Sequence, residues 1–293
     1  MTFAPLQLAP ATIAGVLYAV RAHHLAQRGK AVALRRQCCF YGGLALIVVS
    51  LTSLGDLAGE TFVAHMSEHL LIGDLAPLLL VLGLTGPLLA PLLRLRLLGP
   101  LRMLTHPLVA LPLWALDLYV WHVPLFHEAA VRHETVHAVQ HGLFIVCGVL
   151  MWMPLFGPLP TPAWFGNLAK LCYIIAVRLL GGLLGNVLLW SGTVLYPVYG
   201  EPLSDQTAAA AIMMIESSLV TIGLFGWLFL RAARESEERQ ELLELAAARG
   251  VELSQTRAAR AVSAGRGDEL RRRIEAGTLT AVAQPGTNPA WDS

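Results

Sequence analysis

The sequence contains little charge. Only 14% of its 293 residues are charged, whereas 55% are hydrophobic, and this balance excludes an ordinary soluble domain of this size. The charges are confined to short stretches between long apolar runs, as expected when most of the chain lies in lipid. We therefore predict an integral protein of the lipid bilayer. Nothing in the sequence indicates nucleic-acid binding.

Cysteine is also scarce. The four cysteines, Cys38, Cys39, Cys147 and Cys172, lie in or beside apolar runs and none belongs to a CxxC motif. We interpret them as buried small apolar groups, and the pattern excludes a disulfide framework.

Several catalytic signatures are absent. The sequence contains no Walker loop, dinucleotide fingerprint, nucleophile elbow or His-Glu-x-x-His metalloprotease motif. We therefore predict that the protein is not an enzyme. The N-terminus also lacks the basic segment of a secretory signal, so we expect its first apolar run to remain as a membrane helix.

Long apolar runs dominate what is present. A membrane-spanning helix needs about 20 mostly apolar residues, and seven stretches approach that length. They predict an all-α transmembrane bundle with helices near residues 5–21, 36–54, 61–84, 106–121, 134–156, 167–190 and 207–231. The fourth stretch is short, and Asp74 and Pro77 interrupt the third, so counts of six or eight helices also fit the pattern.

The loops between these runs alternate in charge. Because basic residues resist translocation, basic loops are expected in the cytoplasm and the alternate loops outside. The basic set comprises Arg28, Lys30, Arg35, Arg36, Arg94, Arg96, Arg102, Arg231 and Arg234, and the mixed or acidic set comprises Asp56, Glu60, Glu128, Arg132, Glu134, Glu201 and Asp205. This alternation predicts an N-terminus outside and a C-terminus in the cytoplasm.

The composition changes abruptly near the end of the chain. After Arg234 the residues are mainly Glu, Arg, Ala and Leu. We predict a transmembrane domain over residues 1–232 and a charged, helical cytoplasmic tail over residues 233–293. Short helices are expected near residues 252–264 and 268–276, and disorder is expected in the last residues.

Histidines gather at one side of the membrane under this topology. His65 and His69 begin the third helix, His122 ends the fourth, and His133, His137 and His141 begin the fifth, with His127 in the loop between. A spacing of four residues places His65 with His69, and His137 with His141, on one helical face each.

The depth of these residues predicts a metal site. At a rise of about 1.5 Å per residue, His69 and His141 lie two turns inside the membrane on different helices and can therefore meet. Met213 and Met214 on the last helix reach a similar depth, and a ligand set of His with Met favours copper. The predicted ligands are His65, His69, His122, His137 and His141, with His133, Met213 and Met214 as additional candidates. The alternative is that these histidines form interhelical hydrogen bonds, and that the methionines only pack.

Four further polar groups lie within apolar runs: Asp74, Asp117, Arg178 and Glu216. Buried charges in lipid are expected to pair, and Arg178 is the basic residue deep enough to partner the acids. A structural ion pair is the simpler interpretation. The alternative is that Asp117 or Glu216 orients the metal ligands by hydrogen bonding to them, without contacting the metal itself.

Four segments resemble the CtaG-type cytochrome c oxidase assembly factors. These are residues 65–80 (HMSEHLLIGDLAPLLL), the run Trp121-His-Val-Pro124, the run His137-Ala-Val-Gln-His141, and Asp205-Gln206 before the last helix. In that family Gln commonly stands where this chain has Glu68, Glu where it has Gln140, and a second Gln where it has Thr207. The histidines are kept.

The resemblance implies a multi-pass protein of the bacterial plasma membrane that helps to mature a haem-copper oxidase by copper delivery. Oxidase subunits and an extracytoplasmic copper donor are the implied partners. Two alternatives remain at this point. One is a copper transporter, in which Met213, Asp74, Asp117 and Glu216 form a path. The other is a haem-binding electron carrier with His69 and His141 as axial ligands.

Overall fold

The chain is helical wherever its structure is described. The computed structural model describes residues 4–93, 101–200, 203–263 and 265–277, and every regular element in these ranges is a helix. The main helices are α1 (Ala4–Gln27), α2 (Leu34–Leu54), α3 (Phe62–Gly83), α4 (Pro107–Trp121), α5 (Pro124–Arg132), α6 (Glu134–Phe156), α7 (Asn167–Trp190), α8 (Leu203–Ala248), α9 (Gln255–Ser263) and α10 (Gly267–Glu275). Short helices cover Gly55–Ala58, Gly86–Leu93, Leu101–Leu104 and Pro197–Tyr199.

Five of these helices, α2, α3, α6, α7 and α8, are long and apolar enough to cross a membrane. The pair α4 and α5 passes the same test together, although it is bent by 71°, and gives a sixth candidate. The predicted count of seven is therefore not confirmed within the described residues, since α1, which contains Pro10 and ends in polar residues, is not among the candidates. The orientation of the termini stays a prediction.

Helix α3 has a well-defined start and an internal irregularity. Thr61 caps its N-terminus by accepting a hydrogen bond from the Ala64 amide. A π-helical turn at Leu71–Leu75 then precedes Pro77, whose ring nitrogen has no proton to donate into the helix. Turns of this kind accommodate an extra residue and often accompany functional sites.

Helix α6 approaches α3 closely at this irregular turn. A Cβ atom at Gly148 would overlap the carbonyl oxygen of Gly73 and lie 2.8 Å from the Pro77 ring. One turn farther along, the Trp152 indole donates to the backbone and carboxylate oxygens of Asp74, both at 3.0 Å. The two helices that carry the histidine pairs are therefore joined by direct backbone contact and by a buried hydrogen bond.

The chain bends sharply between α4 and α5. Helix α4 ends at Trp121, His122 leaves the helical conformation, and Pro124 starts α5. Because the residue before a proline disfavours the helical conformation, the Val123-Pro124 step separates the two helices. The bend turns α5 across the start of α3 and α6.

Apolar side chains cover much of the outer surface of the bundle, as lipid contact requires. Exposed examples are Leu108, Leu116, Leu179, Leu183 and Trp190.

The prediction about cysteine holds in part: all four are free and Cys147 is buried, but Cys38 and Cys172 are exposed. A small apolar thiol on a membrane helix needs no burial in protein because lipid supplies the same environment.

The chain divides into two compact units, Met1–Ile222 and Gly223–Ser293. The second unit has its own core, formed by Leu242, Ala246, Val262, Leu270 and Ile274. Helix α8 runs without a break through the predicted boundary at residues 232 and 233, and that boundary stays a prediction. Helices α9 and α10 lie where two short tail helices were predicted. The expected disorder of the last residues falls outside the described residues.

Candidate metal centre

Six histidines meet where α3 and α6 begin. His65 and His69 come from α3, His137 and His141 from α6, His122 from the end of α4, and His127 from α5. Five of the six side chains are buried, and His137 is half-buried. The i, i+4 spacing orients each pair toward the other helix, while the bend at Pro124 adds the remaining two histidines.

The rings are close enough to share an ion. Ring centroids are separated by 4.1 Å for His65 and His69, by 4.0 Å for His137 and His141, and by 5.3 Å for His65 and His137. His69 and His141, the pair predicted from depth, are 5.6 Å apart. Ligand atoms of His65, His69 and His137 all lie within 4.8 Å of one another.

The polar atoms of this cluster are largely without protein partners. Both ring nitrogens of His69 and of His141 are buried and accept or donate no hydrogen bond within the described residues. One ring nitrogen is likewise buried without a hydrogen-bond partner among the described residues in each of four further histidines: His65, His122, His127 and His137. A buried polar group without a partner is costly, so such a concentration marks a place where a ligand or ion belongs.

Two polar residues between the histidines belong to the same cluster. The Glu68 carboxylate Oε1 lies 3.7 Å from Nε2 of His141, and both side chains are almost fully buried. Glu68, His137 and His141 form a second group whose ligand atoms lie within 4.8 Å of one another. The Gln140 amide is buried, and neither its oxygen nor its nitrogen has a hydrogen-bond partner among the residues that the structure describes.

Among the described residues, His122 and His133, which were also named from the sequence, lie outside the two groups. The His133 side chain is exposed just before α6 begins. Met213 is buried in an apolar cluster with Phe62 and Met66. The Met214 sulfur faces the Asn186 amide, 3.8 Å away. Met213 also lines the cavity that His69 and His122 line.

Asp117 and Glu216 differ in their relation to the cluster. The Asp117 carboxylate is hydrogen bonded to the side chains of Trp121 and Cys147, so it supports the helix that ends in His122. Glu216 lies 3.9 Å from the Arg178 guanidinium. Arg178 pairs with Asp74 through hydrogen bonds of 2.8 and 3.3 Å, which is the buried ion pair expected from the sequence.

A cavity of about 70 Å³ connects the histidines with this ion pair. Its lining includes His69 and His122 from the cluster and Asp74, Arg178 and Glu216 from the ion-pair group. Phe144 and Met213 contribute apolar walls. A cavity of this size with ionisable groups in its lining has room for water beside the cluster.

Aromatic residues from the segment before α8 cover one side of the cluster. The Tyr199 hydroxyl lies 3.0 Å from Nε2 of His127, and the Tyr196 hydroxyl donates to the His122 carbonyl oxygen at 2.7 Å. Burial raises the pKa of Tyr199, and the nearby Tyr196 and Glu68 raise it further. Both hydroxyls therefore stay protonated at neutral pH and hold the cover over the histidines.

The start of α8 fixes the position of the cover and of α3. The Asp205 carboxylate accepts hydrogen bonds from the amides of Phe62 and Val63 at 2.7 and 3.2 Å. The Gln206 amide bonds to Leu195 at 2.7 Å and to Ser191 at 2.8 Å. The Asp-Gln pair thus anchors the first turn of α3, which carries His65, to the segment that covers it.

Sequence reasoning left three members of this site out of the ligand set. The sequence predicts a loop at His127, marks Glu68 only as a departure from the family pattern, and does not point to Tyr199. Glu68 stands one residue before His69 on the same helix, so its proximity to the histidine pair was a usable signal. The sequence carries no comparable signal for Tyr199.

The side chains of the cluster are of the types that ligate transition-metal ions. Imidazole nitrogens suit copper and zinc. A carboxylate oxygen added to them is a harder ligand, which favours divalent ions. Buried nitrogens without partners are available as ligands with no competing hydrogen bond to break. The donor set is mainly nitrogen, in contrast to the oxygen-rich sites that hold magnesium or calcium.

Comparison with known proteins identifies the family. No curated protein and no solved structure matches the chain. Residues 16–235 match the family model of the cytochrome c oxidase caa3 assembly factor, which covers most of the chain and includes every histidine of the cluster. The chain therefore belongs to the cytochrome c oxidase caa3 assembly factor family.

Proposed function

We propose that this assembly factor binds a copper ion at the histidine cluster and delivers it to a haem-copper oxidase during assembly. The observation that carries the proposal is the concentration of buried ring nitrogens without hydrogen-bond partners where α3 and α6 meet. In this proposal the protein is not an enzyme and lies in the bacterial plasma membrane. Its cluster faces outward, where an extracytoplasmic donor supplies copper.

The test is to remove His69 and His141 singly. Each substitution, His69→Ala or His141→Ala, should reduce bound copper by more than about tenfold, because even residues that only orient metal ligands are worth about 10–100-fold in affinity. Oxidase activity in the host membranes should fall in parallel. Bound copper is measured on purified protein, after equal membrane abundance has been verified.

The matched control is His23→Ala. His23 is an exposed histidine on α1 whose ring bonds to Gln27, so its removal should change neither copper content nor oxidase activity. Full copper and full oxidase activity in both cluster variants at normal abundance would refute the proposal. The histidines would then serve only to pack the helices against one another.

Copper transport is a second candidate because of the cavity beside the cluster. The cavity is lined by His69 and His122 as well as by Asp74 and Glu216 deeper in the bundle, and ionisable groups in this setting often mark ion pathways. Uptake of copper into vesicles that contain the purified protein and no oxidase would establish transport. Delivery alone requires binding without flux.

The geometry does not favour a haem-binding carrier. The His69 and His141 rings are perpendicular, with centroids 5.6 Å apart, and the cavity beside them measures about 70 Å³. Pockets for ligands of haem size are several times larger, typically about 300–1,000 Å³. The space between the two rings suits a single ion.

A further inference from the structure

The histidine cluster contains two overlapping groups of ligands. One consists of His65, His69 and His137, and the other of Glu68, His137 and His141. Within each group the ligand atoms lie within 4.8 Å of one another. Two metal–nitrogen bonds of about 2.1 Å span at most about 4.2 Å, so small rotations of the side chains complete either site.

The two groups lie side by side because of the helical register. His65 and His69 are four residues apart and share one face of α3, whereas Glu68 is rotated by about 100° from His69. This rotation brings its carboxylate to 3.7 Å from His141 on α6. His137 lies between the groups, with its ring stacked at 5.3 Å on His65 and at 4.0 Å from His141.

The two groups differ in charge and in ligand type. The first group offers three neutral imidazoles, which do not offset any of the positive charge of a bound ion. The second adds the carboxylate of Glu68, which offsets one positive charge in a buried setting where net charge is expensive. Neutral nitrogen ligands suit the softer cuprous ion, and a carboxylate oxygen suits harder divalent ions.

We infer that the cluster holds one ion at a time in either of two overlapping positions, selected by the valence of the ion. The cuprous ion occupies the position formed by His65, His69 and His137. A divalent ion, cupric or zinc, occupies the position formed by Glu68, His137 and His141. His137 belongs to both positions, so the two positions cannot be filled at the same time. This inference rests on the proposed function, because it requires the cluster to bind metal.

The experiment compares Glu68→Gln with His65→Phe in purified full-length protein. Each is titrated with the cuprous ion under anaerobic, reducing conditions and with Zn²⁺, against competing chelators. Glu68→Gln should weaken Zn²⁺ binding by about tenfold or more and change cuprous binding less than about threefold. His65→Phe should do the reverse. The wild type should bind one ion per chain, and each ion should displace the other.

X-ray absorption of the loaded wild-type protein provides a measurement that needs no variant to fold. Three imidazole ligands on the cuprous ion, and two imidazoles with one carboxylate on Zn²⁺, are the expected result. The inference is overturned if both ions show the same ligands, if both variants weaken both ions equally, or if two ions bind at once. Those results leave the proposed function standing. A wild-type protein that binds neither ion overturns the proposed function itself.

Discussion

Asp205 is the residue whose loss should reveal how α3 is held. Its carboxylate accepts two amide hydrogen bonds from the first turn of α3, and hydrogen bonds to a charged group are worth about 1.5–3 kcal/mol. Asp205→Ala should therefore lower the free energy of unfolding by about 2–3 kcal/mol and weaken copper binding through the displaced His65. Thermal unfolding in detergent and copper titration measure the two effects.

Thr207→Ala is the matched control on the same helix. The Thr207 hydroxyl is exposed and bonds only to the Leu203 carbonyl oxygen one turn earlier, so its loss should leave stability and copper binding unchanged. An Asp205→Ala protein with wild-type stability would show that the carboxylate is not needed to fix α3.

At this scale the sequence predicted the histidine pairs but not the full set of residues around them. A spacing of four determines that His65 and His69 share a face, because the geometry of the helix is local. The contribution of His127 depends on a bend of 71° between two helices. That of Tyr199 depends on a contact with His127, which lies 72 residues earlier in the chain. Such contacts are set by tertiary packing, which spacing does not encode.

Among the helices, the contact of α6 with α3 should be sensitive to substitution. Gly148 leaves no room for a Cβ atom against Gly73 and Pro77, and overpacking costs about 1–3 kcal/mol. Gly148→Ala should therefore separate the two helices, lower thermal stability and reduce copper affinity, although Gly148 is not a ligand. Copper titration and thermal unfolding of the purified variant measure these effects.

Gly142→Ala supplies the control on the same helix. A Cβ atom at Gly142 meets nothing within 4 Å, so this variant should bind copper normally and be as stable as the wild type. Normal copper affinity in Gly148→Ala would mean that the close approach of α3 and α6 does not determine the geometry of the site.

Helix limits were predictable where a long apolar run had clear ends. Helices α6 (Glu134–Phe156) and α7 (Asn167–Trp190) begin and end where the apolar runs do. The last helix runs beyond residue 231 because its charged continuation, which includes the Arg231–Glu235 ion pair, is equally helical. The number of spans was less predictable, since hydropathy does not show that α4 and α5 form a bent pair.

For the whole molecule, the tail and the membrane unit should be separable. The unit Gly223–Ser293 has its own apolar core, so truncation after Arg234 should leave membrane insertion and copper binding intact. Fractionation of membranes and metal analysis of the truncated protein test this expectation. Failure to insert would refute it, whereas loss of oxidase activity alone would indicate a cytoplasmic partner of the tail.

The aromatic cover formed by Tyr196 and Tyr199 has a kinetic consequence. His65 and His127 are at most 1% exposed, so under the proposed function an ion bound beside them leaves on this side of the cluster only when the cover opens. The residence time of the ion is then set by the opening rate, and the equilibrium affinity is set separately by the ligands. A carrier with these properties retains its cargo during diffusion even at modest affinity, and a partner that displaces the cover accelerates transfer without having to bind the ion more tightly than the carrier does.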